Sequence, residues 1–217
     1  MKIDILVSDP SHPILSYLEN WRTTHDNDHR IKVVNRVDEL DHGDILFLVS
    51  CSEIVRETTS ANYIKTLVIH ASDLPEGRGW SPLVWQVLEG RRTFTVTLLE
   101  ADDRVDAGPV WKKMRFELRG HELIDEMNDR LFKTELSLMD FAVANFNNVI
   151  PESQDEKVAT YYSKRSPEDS QLDPNKSISE QFNLLRVCDP ERYPAFFELN
   201  GFRYKITISK VPVRNAS

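Results

Sequence analysis

An α/β fold with a mostly parallel sheet is predicted by two observations. Short apolar runs alternate with stretches of helical spacing along the first 150 residues, the pattern of β-α-β units. Those runs are near-continuously apolar rather than alternating, as strands covered on both faces read. The resulting expectation is a Rossmann-like sheet with helices on both faces, followed by a small α+β tail. The opening run "IDILVSDP" (3–10) is a buried strand stopped at Asp9-Pro10, and "PILSYLENWRTT" places Ile14, Leu15, Leu18 and Trp21 at helical spacing. "RIKVVNRV" (30–37), "DILFLVS" (44–50) and "IKTLVIH" (64–70) supply three further strands. "SPLVWQVLEG" (81–90) has proline at its start and glycine at its end, the ordinary punctuation of a helix. "TFTVTLLEA" (93–101) is β-branched and aromatic, hence a strand, and 121–146 is a long amphipathic helix with Leu123, Met127 and Leu131 on one face.

From Ile150 the texture changes. Residues 151–176 are polar and dotted with proline, as a connecting segment reads. "SISEQFNLLRVCD" then pairs Ser177 with Glu180 as a capping box ahead of a helix face formed by Ile178, Phe182 and Leu185. "AFFELNGFRYKITISKV" is a hairpin turning at Asn200-Gly201. The expected division is a core over 1–150 and a linker, helix and hairpin over 151–217.

Composition removes several function classes. Lys plus Arg number 27 against 35 Asp plus Glu, a net charge of −8, the opposite of what neutralising phosphates requires, so no nucleic-acid partner is expected. The two cysteines, Cys51 and Cys188, have no paired spacing, so neither a disulfide framework nor a zinc cluster is read. No apolar run approaches the 18 or so residues of a membrane span, and the N-terminal run is too short for a signal peptide; a cytoplasmic location without membrane contact is the expectation. Neither the glycine pattern of a dinucleotide site nor that of a P-loop occurs.

Three features carry possible chemistry. His70 ends a strand; such a residue is more often structural, but the carboxyl ends of strands are where open α/β sheets keep their sites. Ser50 and Cys51 lie at another such end. Asp106 sits in the acidic loop "EADDRVDAGP"; such loops are usually only solvated, yet a carboxylate beside an imidazole is how acid–base pairs are made. In "EGRGWSP" (76–82), two glycines allow a tight path, and the planar fork of Arg78 suits a phosphate or carboxylate; the plain alternative is a well-made turn before a helix.

In combination these features resemble the signature of the folate-dependent formyltransferases. His70, Ser72, Leu74 and Pro75 match the family's Asn-x-His-x-Ser-x-Leu-Pro. Arg78, Gly79 and Pro82 match Arg-Gly-x-x-Pro, and Asp106, Gly108 and Pro109 match Asp-x-Gly-Pro. The tail segments "TYYSKRSPEDSQLD" and "ISEQFNLLRVCDPERYPAFFELNGFRYKI" are similar to the region after the core in the sugar and Met-tRNA formyltransferases. One departure stands out: the family's catalytic Asn falls at Val68, which offers no amide. The resemblance implies transfer of a formyl group from N10-formyltetrahydrofolate, without a metal, to the amine of an amino-deoxy sugar carried on a nucleotide. His70 would stand at the reacting centre, with Asp106 tuning it or taking the proton. The folate would lie near Ser50, Cys51 and the loop holding Ala101, Asp102, Asp103 and Val105. The acceptor would meet Ser72, Arg78, Gly79 and Trp80. Lack of room for a tRNA-binding barrel, together with the acidic charge, points to the sugar branch. The alternatives are another small amine, such as an amino acid or peptide, and a binding module that lost its chemistry with the Asn. A homodimer through the apolar tail is compatible with this reading.

Overall fold

The computed structural model describes residues 1–211. Six strands form one sheet in the order β2-β1-β3-β4-β6-β7: β1 (Lys2–Leu6), β2 (Arg30–Val34), β3 (Gly43–Val49), β4 (Tyr63–His70), β6 (Thr93–Glu100) and β7 (Val110–Glu117). The first four run parallel, β6 is antiparallel to β4, and β7 is antiparallel to β6. The central β1 and β3 are apolar nearly throughout and buried on both faces, whereas β2, at one edge, alternates between buried and exposed positions. The other edge, β7, escapes the sequence reading, which stops at Pro109. Lys112, Lys113 and Arg115 make it look like loop, yet Trp111, Met114 and Phe116 pack against the core.

One face of the sheet carries the main core. Ile3, Ile5, Ile45, Phe47, Leu67, Ile69, Phe94, Val96 and Leu98 project into it, met by α1 (Leu15–His25), α3 (Pro82–Leu88) and the 21-residue α4 (Ile124–Ala144). The Trp21 indole N–H donates to Asp140 at 2.6 Å and Tyr17 to Asp129 at 2.9 Å, fastening α1 to α4. The opposite face is thinner. Leu6, Val34, Leu46, Leu48 and Tyr63 form a small cluster there, and its helical cover is the one-turn α2 (Glu57–Ser60) and a 3-10 turn at Val37–Glu39.

Two tail expectations change. Residues 151–176 are not a free connection: β8 (Tyr161–Tyr162) pairs in parallel with the two-residue β5 (Arg78–Gly79), and Glu152 bridges to Val110. The Ser177–Glu180 capping bonds form, but α5 begins only at Phe182, and Ile178 is 74% exposed instead of lying on its buried face. The hairpin of β9 (Ala195–Leu199) and β10 (Phe202–Ile206) is as expected. Asn200 and Gly201 both have positive φ, 51° and 82°, as a type I′ turn requires.

Candidate active site

The site lies where β4 ends. Alternation along β4 sends Leu67 and Ile69 into the main core and Thr66, Val68 and His70 toward the thinner face. His70 is 7% exposed and opposes Thr97 on β6. Its Nε2 lies 2.8 Å from the carbonyl of Gly77. A carbonyl only accepts, so Nε2 carries the proton in the neutral ring, and Nδ1 is the position where a second proton is gained or lost. Nδ1 faces Asp106 Oδ1 at 3.5 Å. The other carboxylate oxygen of Asp106 accepts the Gly79 N–H at 2.8 Å. The turn after β4 therefore holds the imidazole through Gly77 and the carboxylate through Gly79.

The backbone here is unusual. Asp106 has φ of 54°, Ser50 of 47° and Ser81 of 48°, left-handed values that are sparse outside glycine and cluster at functional sites. Two glycines are obligatory. A Cβ on Gly108 would stand 1.9 Å from the Glu100 carbonyl oxygen, and one on Gly79 would stand 2.6 Å from that of Tyr162. Both contacts are with backbone, so neither neighbour can yield.

The segment read as a linker frames these two loops. The Gly77 N–H donates to Thr160 Oγ1 at 2.8 Å, Arg78 N–H to the Thr160 carbonyl at 2.9 Å, and Trp80 N–H to the Tyr162 carbonyl at 3.2 Å. Gln154 donates through Nε2 to the carbonyls of Asp106 (2.8 Å) and Gly108 (2.7 Å). The Arg78 side chain is fully buried. Its Nη1 and Nη2 donate to Glu156 at 3.0 and 2.8 Å, Nη2 also to Gln154 Oε1 at 2.8 Å, and Nη1 to the Tyr161 hydroxyl at 3.1 Å. The Glu156 bonds raise the guanidinium's pKa above its ordinary value and lower that of Glu156. The fork expected to grip an acceptor is thus occupied from within the chain, which makes Arg78 part of the frame.

Other predicted residues fall into two groups. Cys51 and Ala101 are brought together with Val68 around the small apolar cluster; burial raises the Cys51 thiol's pKa, and its sulfur accepts from Ser8 Oγ at 3.3 Å. Ser72 is buried, and its hydroxyl has no hydrogen-bond partner among the described residues, as is true of the Thr66 hydroxyl further back along β4. Ser50, Asp102, Asp103 and Val105 are exposed at the solvent rim; the parallel register of Val49 with Ile69 brings Ser50, the next residue, level with His70. Trp80 is 40% exposed, with Lys164 Nζ 4.6 Å above its ring.

Sequence reasoning missed Gln154, Glu156, Thr160 and Lys113, the last holding Asp73 at 2.5 Å on the loop after His70. Only one signal pointed to any of them: a fixed arginine between two glycines needs a carboxylate, and Glu156 is one of many in the chain. No helix among the described residues is long and apolar enough to cross a membrane.

Residues 44–143 match the formyl transferase family. The methionyl-tRNA formyltransferase of Bacillus subtilis (strain 168) is 31% identical over 145 residues, 65% of this chain and 45% of that protein; the chain spans about half the length of the curated relatives it matches. Among solved structures, the methionyl-tRNA formyltransferase from Clostridium thermocellum superposes with a TM-score of 0.82 at 21% identity, over 100% of this chain and 95% of that one. A sugar N-formyltransferase from Shewanella sp. FDAARGOS_354 does so with a TM-score of 0.72 at 17% identity, over 99% of each chain.

Proposed function

We propose, from the match of residues 44–143 to the formyl transferase family, that the chain transfers a formyl group from N10-formyltetrahydrofolate to the amine of a nucleotide-linked amino sugar. The observation that carries this reading is the buried His70–Asp106 pair, each member held by the turn after β4. The apolar floor of Val68, Cys51 and Ala101, with the Thr66 hydroxyl on the same face and without a partner among the described residues, suits a flat ring with polar edges, and these residues would hold the folate. When bound, the folate supplies the one-carbon unit. The chain's part is then proton handling and charge stabilisation. His70, its Nε2 proton anchored on Gly77, presents Nδ1 to Asp106, and Asp106, directly or through the imidazole, takes the proton shed by the acceptor amine and returns it to the nitrogen that leaves with tetrahydrofolate, so that the proton lost by one amine is gained by the other. The Ser72 hydroxyl, buried and without a partner among the described residues, takes the place of the amide missing at Val68 as a donor to developing negative charge. Trp80 and Lys164 form the acceptor platform, by stacking and by charge.

Incubation with N10-formyltetrahydrofolate and a panel of amino-sugar nucleotides, followed by tetrahydrofolate release and product mass, tests the reading. Formylation of at least one member is expected. A second acceptor, Met-tRNA, is favoured by the curated relatives it matches; formylation of Met-tRNA with none of the sugars would replace the first reading.

A further inference from the structure

The geometry points to Gln154 as a positioning residue that clamps the two catalytic loops together, an inference that rests on the proposed formyl transfer. One carboxamide serves both loops. Its Nε2 holds the carbonyls of Asp106 and Gly108, at 2.8 and 2.7 Å, so the carboxylate's own backbone is fixed on either side of Ala107. Its Oε1 accepts from Arg78 Nη2 at 2.8 Å, and Arg78 lies between the two glycines that bond His70 and Asp106.

The orientation of the amide is forced, because two carbonyls require a donor and a guanidinium requires an acceptor. No other natural side chain of this length provides both ends. Asp106 needs such support, since its left-handed backbone persists only where the surroundings over-determine it. Gln154 touches neither reacting group, and it acts on the Nδ1–Oδ1 gap through the backbone of Asp106.

Gln154→Glu tests the clamp, because it keeps an oxygen for Arg78 and removes the N–H donors. The expected result is a kcat lowered ~10–100-fold with KM for both substrates within about twofold, the consequence of a misplacement of about 1 Å. The Gly79 amide, which donates to Asp106 Oδ2, should exchange with solvent at least about tenfold faster by NMR. A kcat at the wild-type level, a loss expressed in KM alone, or an unchanged Gly79 exchange rate overturns the inference. Gln154→Met, of similar length, is measured the same way if the glutamate variant does not fold. Should the wild-type chain formylate no acceptor, the function fails as a separate matter, and Gly79 exchange alone decides the clamp.

Discussion

The two faces of the central sheet divide the work of the molecule. On one, residues of all six strands meet α1, α3 and α4 in a continuous apolar core that includes Phe47, Phe94, Leu67 and Met139. On the other, five buried residues make a small cluster under little helical cover, and Val68 and His70 point there. The first face buries enough apolar surface to hold the sheet rigid. The second leaves space beside a rigid strand end, which is the condition for holding two proton-transfer groups in register. Stability and chemistry can therefore be altered almost independently, by changing residues that are next to each other on one strand.

The sharpest way to break that division is to change the pair itself. His70→Asn or Asp106→Asn is expected to lower turnover by ~10²–10⁴-fold while the thermal midpoint stays near that of the wild type; turnover close to wild type in either variant would remove the mechanism. The converse is Phe47→Ala on the core face. It is expected to destabilise by about 3–5 kcal/mol in a denaturant titration, with kcat per folded molecule unchanged.

A third prediction concerns Glu135, buried on α4 with Oε2 lacking a partner among the described residues. Burial pushes its pKa from 4.5 up to about 8. The unfolded chain therefore gives up this proton at lower pH than the folded one. The stabilising contribution of the neutral carboxyl is complete below about pH 4.5 and is lost as pH rises toward 8. Glu135→Gln should thus gain stability relative to wild type between pH 5 and 8, by up to a few kcal/mol; parallel stability curves for the two proteins would refute it. The smallest effect is expected at Val68→Asn, which places an amide on the face of His70. It should preserve turnover within about tenfold and destabilise by about 1–2 kcal/mol, because Val68 is only half-buried in the small cluster. Abolished turnover would mean that the site is built around the valine.

Much of this arrangement is legible in the sequence, for definite reasons. Continuous apolar runs mark β1, β3 and β4 because both faces of those strands are covered. Proline and glycine bracket α3, and Asn200-Gly201 announces its hairpin. His70 and Asp106 stand out through their place in a motif rather than through any periodic signal. The edge strand β7 is hidden by its lysines and arginine, since an edge strand tolerates charge on its open side. The frame around the site is hidden for another reason. Gln154, Glu156 and Thr160 act through polar bonds to backbone and to arginine, and such bonds impose no repeat that a reading by hydrophobic spacing can detect. The same blindness gave Arg78 to the acceptor, since a buried guanidinium and a ligand-binding one have the same letter.

The ion pair of Arg78 and Glu156 also has a consequence for biosynthesis. The arginine emerges from the ribosome 78 residues before the carboxylate that neutralises it. Until then the sheet can assemble, but the turn after β4 must keep a cation in water instead of folding it inside. A chain stopped at residue 150 would hold every strand of the large sheet and still be unable to close its own site. The frame of the acid–base pair is therefore complete only once the stretch around residues 152–162, which follows every strand of the large sheet, has been added.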